Sequence, residues 1–191
     1  MVAFPEITKS RLRRELLSHF FTNPQAELYL RELAVLLKED AGNLSKELAM
    51  LETLGIFNSR LSGKQKYFSL NRQYPLYKEL KSVVFKTIGI EGSLKELLGK
   101  IEGLKVAFIY GSFAEGKEKS TSDIDLFLVG LPDEDILMEK IESLEKRLGR
   151  EINYNVYPGK EFKEKLRRKD SFIINLMKRP KIFLKGSIDG I

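Results

Sequence analysis

The 191 residues contain no cysteine. Disulfides and thiolate metal sites are therefore excluded. A single histidine, His19, rules out a zinc site built on several histidines. His19 falls in an apolar–basic helical pattern, which suits packing or surface better than a Ser-His-Asp triad. No apolar run is long enough to span a bilayer, and the start does not read as a signal peptide. A cytoplasmic placement with no membrane partner is the expectation. Internal repeats and low-complexity segments are absent too. What is present is ordinary for a soluble globular chain: 42% hydrophobic and 31% charged residues. The length holds one domain or two small ones.

The net charge of +6 is unevenly spread. Residues 1–86 carry 14 Lys and Arg against 9 Asp and Glu. Residues 87–191 carry 19 against 18, so the basic excess lies in the first half. Such an asymmetry points to a partner bearing phosphates.

The most informative stretch runs from Val106 to Val129, VAFIYGSFAEGKEKSTSDIDLFLV. Val106 to Tyr110 is an apolar run that reads as a buried strand. Gly111 and Ser112 follow, then a polar loop from Ala114 to Ser122. Asp123-Ile124-Asp125 opens a second apolar run, Leu126 to Val129. Residues two apart on a strand share a face, so Asp123 and Asp125 are expected side by side, with Ile124 opposite. Close carboxylates repel unless a cation lies between them. Mg²⁺ is a fitting cation, because it takes one or two carboxylates plus substrate phosphates. Gly111 lets backbone approach a ligand, and Ser112 offers a hydroxyl and an N–H to phosphate.

Strand, Gly-Ser, loop, Asp-x-Asp and strand together resemble the DNA polymerase β-like nucleotidyltransferase superfamily. The likeness is greatest to its minimal nucleotidyltransferase domains. The resemblance implies that Gly111 and Ser112 hold nucleotide phosphate, and that Asp123 and Asp125 are catalytic residues and metal ligands. Its cofactors would be Mg²⁺ and a nucleoside triphosphate. Active members of the superfamily usually have a third carboxylate on a later strand. The matching place here is Ile152-Asn153-Tyr154, so Asn153 stands where the acid should be, and Asn155 on the same face is no acid either. An amide is a poorer metal ligand than a carboxylate and no useful base.

In the first half, Ser10 can cap a helix to about Phe21, with Leu12, Leu16, Leu17 and Phe20 as its stripe. Asn23-Pro24 breaks it. A second helix is expected over about Leu30 to Leu37, and a polar turn over Asp40 to Asn43. The third runs from about Leu44 to Leu54, with Leu44, Leu48 and Leu51 inward, and Gly55 stops it. A hairpin with a basic tip follows, from Ile56 to Leu70. Three helices and a hairpin, with Leu-x-x-Leu-x-x-x-Gly-Ile from Leu48 to Ile56, resemble winged helix-turn-helix domains of the bacterial and archaeal repressor type. That resemblance implies duplex DNA as a partner. Asn43, Ser45, Lys46 and Glu47 would meet the major groove, and Arg60, Lys64 and Lys66 of the wing would meet phosphates or a minor groove. A fourth helix, about Leu76 to Thr87, is either a homodimer interface or a connector.

Gly89 to Gly92 reads as the domain boundary. Ser93 and Glu96 form a capping box for a helix ending near Ile101. After the acid pair, a helix from Pro132 to about Leu148 shows Ile136, Leu137, Ile141, Leu144 and Leu148 on one face. Asp133, Glu134 and Asp135 suit its dipole. Arg150 to Tyr157 reads as a strand, Glu161 to Lys169 and Ser171 to Lys178 as helices, and Lys181 to Lys185 as a last strand.

The expected fold is α/β (α+β): a winged helix DNA-binding domain over residues 1–88 and a nucleotidyltransferase-like mixed sheet with helices over 93–191. The expected function is a dimeric DNA-binding transcriptional regulator whose second domain is a degenerate or ligand-sensing nucleotidyltransferase-like fold. The alternative is an active Mg-dependent nucleotidyltransferase acting on a protein or small molecule, with the winged helix as targeting module.

Overall fold

The computed structural model describes residues 10–119 and 121–188. Residues 1–9 and 189–191 of the two expected domains, and Ser120 of the loop, lie outside the described residues. The chain is mixed α/β and divides into two compact units, residues 1–92 and 93–191.

The first unit has the order α1 (Arg11–Thr22), β1 (Leu28–Tyr29), α2 (Leu30–Leu37), α3 (Ala41–Thr53), β2 (Phe57–Ser62), β3 (Gln65–Leu70) and α4 (Tyr77–Thr87). Ser10 caps α1 by accepting a hydrogen bond from the Arg13 N–H. Asp40 caps α3, accepting from the N–H groups of Gly42 (2.9 Å) and Asn43 (3.0 Å). The polar turn expected over Asp40 to Asn43 is thus the first turn of a helix. An Asp at the N-cap satisfies orphan donors that a purely apolar pattern does not reveal. The strands form a sheet in the order β1-β3-β2, in which β1 was not anticipated because two residues carry no periodicity. Leu16, Phe20, Leu33, Leu44, Leu48 and Phe57 are buried together in one core. His19 is also buried, its ring edge-on to Phe20 at 5.6 Å, and burial pushes its pKa down. Helix α4 lays Val84, Leu80 and Tyr77 against this core, and Leu76 stays exposed.

Helix α5 (Ile90–Gly99) begins earlier than expected, so Ser93 lies inside it and is no N-cap. A Cβ on Gly92 would lie 1.7 Å from the Thr87 carbonyl oxygen. Only glycine lets α5 start so close behind α4.

The second unit continues with β4 (Leu104–Tyr110), α6 (Gly111–Ala114), β5 (Ile124–Gly130), α7 (Glu134–Leu148), β6 (Ile152–Tyr157), α8 (Gly159–Arg167), α9 (Ser171–Lys178) and β7 (Ile182–Lys185). The sheet order is β6-β5-β4-β7, with β6 parallel to β5 and the other pairs antiparallel. Asp133 caps α7 at the Ile136 N–H, 3.0 Å away. Leu137, Ile141, Leu144 and Leu148 of α7 are buried, but Ile136 is 49% exposed and is no part of that face. One residue before Leu137, it lies about 100° round the helix from the buried stripe. Residues 159 and 160 join α8, which starts directly after Pro158. One sheet face carries Val106, Phe108, Phe127 and Val129, packed with Phe162 of α8 and Ile173 and Leu176 of α9. Ile109, Ile124, Leu126 and Leu128 alternate with them and are fully buried as well. Burial on both faces explains why β4 and β5 read as continuous apolar runs.

Candidate active site

The acid pair is set by the end of β5. Asp125 is its second residue and pairs in register with Asn153 of β6 and Tyr110 of β4. Asp123 lies just before the strand and is exposed. The Asn153 side-chain N–H donates to the Asp123 carboxylate at 2.7 Å. The third position of the expected acid set is therefore an amide that touches the pair. Burial, and then the charge of Asp123, push the Asp125 carboxyl above its ordinary range. Repulsion between two neighbouring carboxylates is what a bound cation would relieve.

Gly111 follows β4 directly, with φ +69°. A Cβ there would lie 2.3 Å from the Asp125 Oδ2. The Gly-Ser turn is thus pressed against the acid, and only glycine fits both the left-handed backbone and the contact. Ser112 is the second residue of α6, half-buried beside the turn.

Two further residues belong to the site. Arg150 is only 8% exposed, and its guanidinium donates to the carbonyls of Lys119 (3.3 Å) and Ser122 (3.1 Å). It ties down the loop immediately ahead of Asp123. A lone arginine at a predicted strand start gave little sign of this, beyond being a charge in a segment that otherwise reads as half-buried. Tyr110 accepts from the Asn155 side-chain N–H at 3.3 Å. Burial, then the charge of Asp125, push the Tyr110 phenol up.

The donor set fits one hard cation. Asp123 and Asp125 would hold Mg²⁺, with substrate phosphates filling further positions. Among the described residues no group of three or more His, Cys, Asp or Glu could hold a metal ion.

In the first unit, Asn43, Ser45 and Lys46 are exposed on α3. Asn43, Lys46 and Glu47 line a shallow depression of about 540 Å³ with Arg11, Glu39 and Met50. Glu47 is paired with Arg13 and so is half-buried. Arg60 is held by Glu27 (2.8 Å for one nitrogen) and lies over the Tyr67 ring at 4.9 Å. Lys66 is held by Glu52 at 2.7 Å. Both pairs draw their carboxyls below the ordinary range through the hydrogen bond the cation donates. Lys64 is exposed in the two-residue turn between β2 and β3.

Residues 92–181, somewhat under half of the chain, match the family Polymerase beta, Nucleotidyltransferase. The match lies almost wholly within the second unit. No curated protein matches the chain. Among solved structures, a toxin–antitoxin with AMP-PNP is 19% identical, over 52% of this chain and 76% of that one, with a TM-score of 0.39. A tri-AMPylated Shewanella oneidensis HEPN toxin in complex with MNT antitoxin is 17% identical, over 52% and 72%, with a TM-score of 0.35. Among the described residues no helix is long and apolar enough to cross a membrane.

Proposed function

We propose that the second unit is a nucleotidyltransferase that moves a nucleotidyl group from a nucleoside triphosphate to a hydroxyl of a protein or small molecule. The observation that supports this is the close approach of the Gly111 turn to the Asp125 carboxylate, which suits a turn that binds phosphate beside a pair that binds metal. The family match of residues 92–181 supports it over the regulator reading placed first from sequence.

In the reaction the acceptor oxygen forms a bond to the α-phosphorus. The bond from that phosphorus to the bridging oxygen breaks, and pyrophosphate leaves with the electron pair. Bound Mg²⁺ would supply charge stabilisation for the phosphates. Asp123 and Asp125 would hold it, and Gly111 and Ser112 would orient the triphosphate. The acceptor's proton passes to solvent water, because Asn153 is an amide and not a useful base. Slow transfer is the consequence.

The first unit is, on this reading, a winged helix that brings the transferase to duplex DNA. Its helix order and β2–β3 hairpin support that role, as does the basic excess of residues 1–86. Arg60 and Lys66, tied to Glu27 and Glu52, must give up those pairs to reach phosphate. Lys46 and Lys64 therefore carry most of the expected contact.

Calorimetry tests the site. ATP with Mg²⁺ should bind the full chain more tightly than ATP alone. Changing Asp123 and Asp125 to asparagine should abolish the difference. Equal binding with and without metal in the native chain would reject the reading.

A further inference from the structure

The near-neutral sum of the second half hides a strong local charge. Residues 159–181 carry nine Lys and Arg against three Asp and Glu, while the rest of residues 93–191 carry ten against fourteen. The basic part is α8, α9 and the short segments after each, and the opposite sign prevails elsewhere in the unit. The acids of the basic part are engaged locally. Glu161 lies 3.9 Å from Lys165, and Glu164 pairs with Arg168. Asp170 caps α9 and is also 3.9 Å from Lys165. Lys160, Lys163 and Arg167 are exposed, and among the described residues no acid pairs with them. At 100° per residue these three fall within about 60° of one another, roughly 130° round α8 from the buried Phe162. They form a row of one sign on the open side of the helix. The row covers about 10 Å of helix, and one strand of a duplex sets its phosphates about 3.4 Å apart along the axis. Three cations thus face about three phosphates.

We propose that Lys160, Lys163 and Arg167 of α8 bind the phosphate backbone of duplex DNA, so that the second unit makes its own contact with the duplex. This rests on the duplex-binding reading above, and adds a second surface that was hidden from sequence by the acids elsewhere in the unit. A regular row of like charge suits a polymer of regularly spaced charge better than the scattered carboxylates of an acidic protein. The row supplies charge and register, and reads no sequence, because phosphate contacts carry none.

Titration of the full chain with a mixed-sequence duplex at several salt concentrations tests this. The triple variant Lys160→Gln, Lys163→Gln, Arg167→Gln should weaken binding to every duplex alike and lower the salt slope by about two to three. Glutamine is a good helix former, so α8 should survive the change. The charge-keeping triple Lys160→Arg, Lys163→Arg, Arg167→Lys should bind as the native chain does. A control triple, Lys105→Gln, Lys140→Gln, Lys146→Gln, removes the same charge from exposed positions of β4 and α7 and should lower the slope by less than about one. Equal losses from the α8 triple and the control would show that net charge alone acts, and would overturn the proposal. Polyglutamate bound as tightly as duplex, and lost with the α8 triple, would make the face a dock for acidic protein instead. Loss from the α8 triple but not from Lys64→Ala would keep this face and reject the wing. Loss from Lys64→Ala but not from the α8 triple would reject this face and keep the wing. No binding of duplex by the native chain would reject both.

Discussion

Replacing Gly111 by alanine isolates the contact on which the site depends. Two costs arise. The backbone at Gly111 is left-handed, φ +69°, where an L side chain costs roughly 1–2 kcal/mol. The new Cβ would also meet the Asp125 Oδ2 at 2.3 Å, so the carboxylate must turn off its rotamer. That adds about 0.5–1.5 kcal/mol. Gly116→Ala is the matched control. Its φ is +67°, but nothing lies within 4 Å of its Cβ, so only the backbone cost applies. Urea unfolding should show Gly111→Ala less stable than Gly116→Ala by about 1 kcal/mol. Metal-dependent nucleotide binding should separate them further. Moving a group that supports a metal ligand costs about 10–100-fold in affinity, and Gly116→Ala should cost almost nothing. Equal stability and equal binding in the two variants would show that the turn does not position Asp125.

Asp125→Asn should stabilise the metal-free protein at neutral pH. The Asp125 carboxyl is raised in the folded chain, which therefore binds its proton more readily than the unfolded chain does. Stability then falls as pH rises from the ordinary carboxylate range through the raised value, so the advantage of the variant should vanish in acid; thermal melts across that range would show it. Arg150→Met should cost about 1–3 kcal/mol in urea unfolding, because the Lys119 and Ser122 carbonyls lose a buried charged donor. It should also weaken metal-dependent nucleotide binding. Lys64→Ala should weaken binding to every duplex alike and lower the salt slope by about one, read by titration at several salt concentrations.

Much of this was legible because the relevant signals are local. Unbroken apolar runs at Val106 to Tyr110 and Leu126 to Val129 marked doubly covered strands, and Gly-Ser and Asp-x-Asp at their ends marked the candidate site. Asp-x-Asp spacing also suggested that Asp123 and Asp125 share a side, and Asn153 now bridges to one acid while pairing in register with the other. Residues acting across the fold were not legible. Arg150 matters through carbonyls some thirty positions earlier, which no periodicity encodes. The start of α3 was missed because Asp40 and Gly42 read as a turn, whereas capping and a first helical turn use the same residue types. Neither the Glu27–Arg60 nor the Glu52–Lys66 pair could be foreseen, since each joins residues well apart in the sequence, 33 and 14 positions.

The most direct measurement follows label from a triphosphate. The full chain is incubated with Mg²⁺, extract proteins and small molecules as acceptors, and ATP labelled at either the α- or the γ-phosphate. Label from the α-position should appear slowly on an acceptor as pyrophosphate is released, and γ-label should leave with the pyrophosphate. Asn153→Asp should speed the reaction by restoring a carboxylate at the third position, and the Asp123/Asp125 double asparagine variant should abolish it. No transfer of α-label by either the native chain or Asn153→Asp would contradict the account.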